Sequence, residues 1–269
     1  MPKRLLIVGY GFLGRAIKPT FTASGWQVAC LNRSGSHGAT ACDLSSRESV
    51  SGITGEYDLV IHCAASGGGD LDSYRDIYLQ GCKNLIERFP QTPLVFTSST
   101  SVYPQSDHSE VTELSPAEPQ SPRAIILRDA ENEVLSADGI VARLTGLYGQ
   151  GRCHVLKNFL AGESTLDGEG DRVMNFVHRD DVATALLILA ERGRGGEIYN
   201  VNGGHASQLE VYQSLALHFD LPMPSGASFD IPRKRGNTSK KVSSDLIKEL
   251  GWSPEYTGFL SLALACSLK

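Results

Sequence analysis

The chain has 269 residues, 41% of them hydrophobic and 20% charged, with a formal net charge of −5. That is enough apolar material for one large domain, or a domain with a small lobe, and it excludes a disordered chain. The basic runs are short, Arg233-Lys234-Arg235 and Lys240-Lys241, so nucleic acid is not an expected partner and these runs read as solvated surface or anion contacts.

No apolar run approaches the roughly 20 residues of a membrane span. The leading LLIV is too short for a secretory core, so a cytoplasmic protein is expected. Cys30, Cys42, Cys63, Cys82, Cys153 and Cys266 form no Cys-x-x-Cys pair and read as buried free thiols; no metal site is expected.

Taken in order, short apolar runs alternate with helix-like segments, the pattern of a parallel sheet with crossover helices. The first strand is expected over 4–9 and a helix over 12–25, with Pro19 set to kink or shorten it. Strands follow at 27–33, 39–44 and 58–66. A helix is expected over 70–89, a strand over 93–103, a helix over 123–139 and a sixth strand over 140–149. Beyond 150, an amphipathic helix (179–193) and one more strand and turn (197–204) return to the sheet. The expected division is a nucleotide-binding domain over 1–150, rejoined by 176–203, and a small substrate lobe from 151–175 and 204–269.

VGYGFLGRAI holds Gly9, Gly11 and Gly14 between a strand and a helix, the context that makes G-x-G-x-x-G a dinucleotide fingerprint. Gly9 permits the tight turn, Gly11 lets backbone approach a pyrophosphate, and Gly14 lets helix and strand pack closely. An acidic residue at the end of the second strand would bind a ribose 2′-hydroxyl. Here Asn32 is neutral and Arg33 can pair with a 2′-phosphate, which favours NADP(H) over NAD(H). Asp43 is an acceptor placed for the adenine amine, and Cys63, Ala64 and Ala65 are small enough for backbone to lie against a cofactor. The SGGGD stretch (66–70) reads either as a mobile loop at the site mouth or as a connector capped by Asp70.

GYGFLG, CDL, DLVIHCAA, VFTSSTSVYP, PQSP, VARLTGLYGQGR, GDRVMNFVHRDDVA and IYNVNGG, in that order over residues 4–204, together resemble the NAD-dependent epimerase/dehydratase family, the extended branch of the short-chain dehydrogenase/reductases; the KKVSSDLIKELGWSP tail resembles its C-terminal ending. The resemblance implies a doubly wound Rossmann α/β sheet with a small C-terminal substrate lobe, a small-molecule substrate and a homodimer formed through two helices. It extends the cofactor contacts to Phe12, Leu13, Leu44, Thr97, Leu144 and Thr145, and the substrate contacts to Thr100, Ser101, Arg152, Asn175 and His178.

The same resemblance implies a Ser/Thr–Tyr–Lys site in which lysine lowers the tyrosine pKa and tyrosinate exchanges the substrate proton. The serine falls on Ser99, with Thr100 and Ser101 as competitors. The tyrosine place falls on Arg123, the lysine place on Leu127 and the following glutamate on Glu131; a register two residues later gives Ile125 and Asp129. Neither register supplies Tyr and Lys. Arginine stays protonated at any workable pH, so Arg123 can hold an anion but cannot relay a proton. Tyr103 and His178 are the alternative proton donors; Tyr148 reads as packing and His62 as a core histidine. Two functions stand open: an atypical oxidoreductase, epimerase or dehydratase acting on a sugar-derived or other hydroxyl or carbonyl compound, and a catalytically silent NADP(H)-binding regulator.

Overall fold

The runs Leu5-Leu6-Ile7-Val8 and Leu59-Val60-Ile61-His62 are buried on both faces, so they show no alternation of apolar and polar residues. Strands of that kind belong in the middle of a parallel sheet covered on both sides. The computed structural model, which describes residues 1–226 and 238–257, places them there. Twelve strands are described: β1 (Arg4–Val8), β2 (Gln27–Asn32), β3 (Thr40–Ala41), β4 (Leu59–His62), β5 (Leu94–Ser99), β6 (Glu110–Val111), β7 (Ile140–Leu144), β8 (Gly146–Tyr148), β9 (Val173–His178), β10 (Ile198–Val201), β11 (Gly204–Ser207) and β12 (Lys241–Val242). Seven make one parallel sheet in the order β3-β2-β1-β4-β5-β7-β10. Strand order reverses between β1 and β4, and the crevice outside their carboxyl ends is where such sheets bind ligands.

Helices α1 (Gly14–Ala23), α2 (Arg47–Ser51), α3 (Leu71–Arg75), α4 (Gly81–Arg88), α5 (Pro122–Ser136), α6 (His154–Leu160), α7 (Arg179–Arg192), α8 (Gln208–Phe219) and α9 (Asp245–Glu249) complete the architecture. On one face, Ile17 and Phe21 of α1 and Val182, Leu186 and Leu189 of α7 cover Leu5, Ile7 and Val95. On the other, Leu85 of α4 and Leu127, Ala130 and Val134 of α5 cover Leu6, Val60 and Phe96. Full burial of each such side chain is worth about 1.5–3 kcal/mol. Pro19 neither breaks nor shortens α1 into two pieces; it sits exposed within one continuous helix.

The 70–89 helix carries a wide π-type turn over Asp76–Gln80 between α3 and α4. There the Ile77 carbonyl accepts a bond from His62 Nε2 (3.0 Å), and His62 Nδ1 accepts from the Ala64 amide (3.3 Å). His62 is thus a core histidine with both nitrogens engaged, and burial pushes its pKa down to about 4. The expected strand 140–149 is two strands in two sheets: at Thr145 the hydroxyl bonds toward Val201 O (3.4 Å) and Asn202 Oδ1 (3.1 Å), and β8 leaves to pair with β9.

β8, β9 and β11 form a smaller sheet, whose core with α6 and α8 is Tyr148, Leu156, Phe159, Val211, Tyr212 and Leu215. β6 pairs with β12 alongside it. The sequence pattern groups all of 204–269 with the lobe, but Ile247 and Trp252 instead join the core under α1 and α7. Trp252 Nε1 donates to Asp181 O (3.1 Å), and the Asp181 carboxylate accepts the Glu255 and Tyr256 amides. Nor are both members of the Lys240-Lys241 pair solvated. Lys240 is buried, donates to Tyr103 O (2.7 Å) and Thr238 Oγ1 (3.1 Å), and has its pKa pushed down to about 8 by burial. Cys30, Cys42 and Cys82 are buried free thiols, while Cys63 and Cys153 are half-buried; Arg233-Lys234-Arg235 and Cys266 lie outside the described residues. Among the described residues no helix is long and apolar enough to cross a membrane.

Candidate functional site

The site begins at the end of β1. Gly9 (φ +107°) and Tyr10 both donate their amides to Leu31 O, at 2.9 and 2.8 Å, which folds the chain sharply toward α1. A Cβ on Gly9 would lie 2.2 Å from the Ala64 nitrogen, and one on Gly14 would lie 2.6 Å from Gly9 O. Those two glycines are therefore required by packing within the chain. Gly11 is not: the nearest atom to a Cβ there is Gly9 O at 4.0 Å. Its α-carbon faces open space at the head of α1.

The amides of Phe12, Leu13 and Gly14 make no well-aligned backbone hydrogen bond among the described residues; a loose turn from Gly9 is all that lies behind them. α1 has no side-chain cap and no acidic residue in its first turn. Three donors at a helix N-terminus, beside a surface left bare by Gly11, fit a phosphate anion. The residues present thus fit the diphosphate of a dinucleotide on their own geometry.

At the outer end, Asn32 folds the turn after β2. Its Nδ2 donates to Ser36 O (3.0 Å), and its Oδ1 accepts the Ser36 amide (3.2 Å). Arg33 is exposed on this turn, with no ion pair among the described residues. Asp43 Oδ1 accepts from the Ser45 amide (3.0 Å) and hydroxyl (2.7 Å). Leu44 is buried, and its carbonyl takes a bond from Asn84 (2.7 Å).

The inner end is built by β4, β5 and β7. Cys63 Sγ approaches Gly9 O (3.4 Å), and burial pushes its thiol up to about 12. Ala64 is half-buried and Ala65 exposed along the crevice. Thr97 Oγ1 donates to His62 O (3.2 Å), while Leu144 and Thr145 are buried at the end of β7. Ser99 is half-buried and its hydroxyl accepts the Ser101 amide (3.2 Å), capping a short turn; Thr100 is buried and Ser101 exposed.

α5 carries the decisive positions. Ser121 caps it by accepting the Ala124 amide (3.4 Å), and Pro122 opens it. Arg123 is half-buried. Its Nη2 donates to Gly69 O (2.9 Å) and its guanidinium stands 5.8 Å from the Tyr74 ring centroid, so it ties the glycine loop to the site mouth. Leu127, one turn on, is buried in the core. Glu131, one turn further, is fully buried and accepts from Ser98 Oγ (2.6 Å), Arg143 Nε (2.9 Å), Arg143 Nη2 (2.6 Å) and Arg128 Nη1 (3.0 Å). Ile125 and Asp129 are exposed on the opposite side. Of the two registers, 123/127/131 faces the sheet.

Three expected site residues prove to be structural. Tyr103 is fully buried beneath the Arg143 guanidinium (4.7 Å), and its hydroxyl is given to Asn200 Oδ1 (2.9 Å). Burial also pushes its pKa up, which keeps the phenol protonated. His178 is 3% exposed, caps α7 by accepting the Asp180 amide (3.3 Å) and stacks on Tyr256 (3.8 Å); burial lowers its pKa. Asn175 spends its amide on Lys240 O (2.8 Å) and the Val242 amide (3.0 Å), fastening β12 to β9.

Arg152 is exposed and lies 5.1 Å from the Phe12 ring centroid. A residue the sequence reading missed, Arg179, lies 5.0 Å from the same ring. The RDD run it opens reads locally as a helix start, and nothing in it signals contact with the glycine loop.

A doubly wound parallel sheet with a glycine turn at its switch point, and a second, smaller sheet, make the architecture of a dinucleotide-binding α/β protein. The family model described as "NAD dependent epimerase/dehydratase family" matches residues 5–202, and the chain belongs to that family. It is 29% identical over 286 aligned positions to Protein YeeZ of Escherichia coli (strain K12), covering 97% of this chain and 99% of the relative. Among solved structures it resembles a dTDP-glucose 4,6-dehydratase from Bacillus anthracis str. Ames in complex with NAD (20% identity, TM-score 0.80, 98% and 95% of the two chains). It also resembles RMD from Pseudomonas aeruginosa complexed with NADPH (24% identity, TM-score 0.77, 97% and 95%). At these identities the solved structures establish the fold.

Proposed function

We propose that this chain is a pyridine-dinucleotide-dependent enzyme that acts on a hydroxyl or carbonyl group of a sugar-derived or comparable small molecule, with an altered acid–base site. The observation that carries the reading is the set of three open amides at α1 beside the bare Gly11. Gly9, Gly11, Phe12, Leu13 and Gly14 would hold the diphosphate, Asp43 and Leu44 the adenine side, and Cys63, Ala64, Ala65, Thr97, Leu144 and Thr145 the nicotinamide side. The bound coenzyme would supply hydride transfer. That one solved relative carries NAD and another NADPH supports either coenzyme. Exposed Arg33, with no acidic neighbour in the Asn32 turn, favours NADP(H) through a fork to the 2′-phosphate.

Ser99 is the hydroxyl offered to a substrate, with Thr100 and Ser101 beside it. Arg123 stands in the place of the family's tyrosine and Leu127 in that of its lysine. A guanidinium keeps its proton, so Arg123 orients or stabilises an anionic oxygen rather than exchanging a proton with it. Leu127, buried and apolar, holds no ribose. Substrate protons must therefore move through solvent or through the substrate's own groups.

A second reading, a silent NADP(H)-binding regulator, is favoured by one specific observation: the Tyr103 hydroxyl is held in a buried bond to Asn200, and His178 Nδ1 caps α7. The discriminating experiment titrates NADPH and NADH by fluorescence, then presents nucleotide sugars and small carbonyl compounds. Turnover establishes the enzyme; saturable binding with no turnover across both classes counts against it, and a partner whose affinity differs between NADP⁺ and NADPH would support the regulator. Arg33→Glu is expected to weaken NADPH more than NADH, and equal effects would remove the 2′-phosphate contact from the account.

A further inference from the structure

Arg179 occupies a costly place. It is the first residue of α7, where the positive end of the helix dipole disfavours a cation; Asp180 and Asp181 show the preferred charge there. Its Nε is buried without a hydrogen-bond acceptor, the Asp180 carboxylate lying 3.4 Å away out of hydrogen-bond alignment. The fold makes room for this side chain. Gly149 has φ +155°, and a Cβ there would sit 3.1 Å from both Cγ and Cδ of Arg179. The stem passes over that glycine and brings the guanidinium to the Phe12 ring.

Arg152 reaches the same ring from a different segment. Reciprocal backbone bonds, Gly149 N to Arg152 O (3.0 Å) and Arg152 N to Gly149 O (2.9 Å), hold its turn in place. Its side chain has no ion pair among the described residues. Two guanidiniums are thus brought onto one aromatic ring, each gaining about 0.5–1 kcal/mol of cation–π attraction, and of the two it is Arg179 that pairs with Asp180 (3.4 Å). The ring belongs to Phe12, whose own amide is one of the three open donors at α1. Such a breach of local charge rules is expected at a binding site.

We propose that Arg152 and Arg179 form a cationic clamp that closes on the diphosphate of the pyridine dinucleotide from the lobe side, opposite the α1 amides. Phe12 is the plate that holds both guanidiniums when the phosphate is not between them. The clamp rests on the reading of the glycine turn as a dinucleotide site. Its chemistry is diphosphate recognition, which a nucleoside-diphosphate substrate shares, and the test separates the two sources.

The experiment measures binding of NADPH, adenosine 2′-phosphate and a UDP-sugar by calorimetry at several salt concentrations. The proteins compared are the full chain, Arg152→Met, Arg179→Met and the double variant, each checked for an unchanged melting transition. Arg152 is exposed, so its variant keeps the test informative should Arg179→Met fold poorly. The expected result is about tenfold weaker NADPH binding for each variant, as for loss of one charge-assisted contact. The double variant should show a shallower salt dependence, and adenosine 2′-phosphate, which lacks the diphosphate, should bind as before. Wild-type affinity for NADPH in the variants, with unaltered salt dependence, overturns the clamp; so does a loss confined to the UDP-sugar. Failure of the parent chain itself to bind any dinucleotide would sink the underlying site reading instead.

Discussion

Glu131→Gln probes the buried charge layer that fixes α5 over the sheet. Glu131 is fully buried and meets the 1%-exposed Arg143 through two bonds of 2.9 and 2.6 Å, with Ser98 and Arg128 completing its shell. An amide keeps the shape but removes the charge, and it turns one acceptor into a donor aimed at a donor. Breaking one partner of a buried pair costs about 3–5 kcal/mol. That is a large share of the roughly 5–15 kcal/mol that holds a domain folded. At about 2–4 °C per kcal/mol for a chain of this size, the melting temperature should fall by roughly 6–20 °C. Urea unfolding of wild type, Glu131→Gln and the double variant Glu131→Leu/Arg143→Met measures this. The double variant should recover to within about 2 kcal/mol of wild type, because removing both charges abolishes the unbalanced one. A loss below about 1 kcal/mol for Glu131→Gln would refute the claim that Arg143 depends on it.

His62 titrates at about 4 in the folded chain against an ordinary 6.5, because burial disfavours the imidazolium. The unfolded chain therefore binds the extra proton first, and stability should fall as pH drops from 6.5 toward 4; His62→Gln should flatten that limb of a pH–stability profile, and an unchanged slope would place the titrating group elsewhere. Gly9→Ala sets a methyl 2.2 Å from the Ala64 nitrogen at φ +107°. It should cost at least the roughly 1–3 kcal/mol of a strained backbone and weaken dinucleotide binding, read by thermal melting and calorimetry; wild-type values for both would mean the turn is not rigid.

What the chain order reveals is what depends on near neighbours. The glycine turn and the ends of β1 and α1 follow from a dozen contiguous residues, and so they were legible. The α5 register was legible as a choice between two spacings, and burial of Glu131 against Arg143 turns the 123/127/131 set toward the sheet. Long-range contacts were not legible. β7 and β8 read as one strand in the sequence, and the Thr145 bonds to Val201 and Asn202 mark where they part. Tyr103 lies where a catalytic hydroxyl could, yet Asn200, far along the chain, claims its proton. Arg179 looks like the polite start of a helix until the fold sets it on Phe12.

Titration calorimetry of the purified chain with NADPH and NADH is the most direct trial. Open amides at Phe12, Leu13 and Gly14 predict saturable, one-to-one heat with at least one coenzyme, the tighter being NADPH. Folded protein that gives no heat with either would contradict the account at its root.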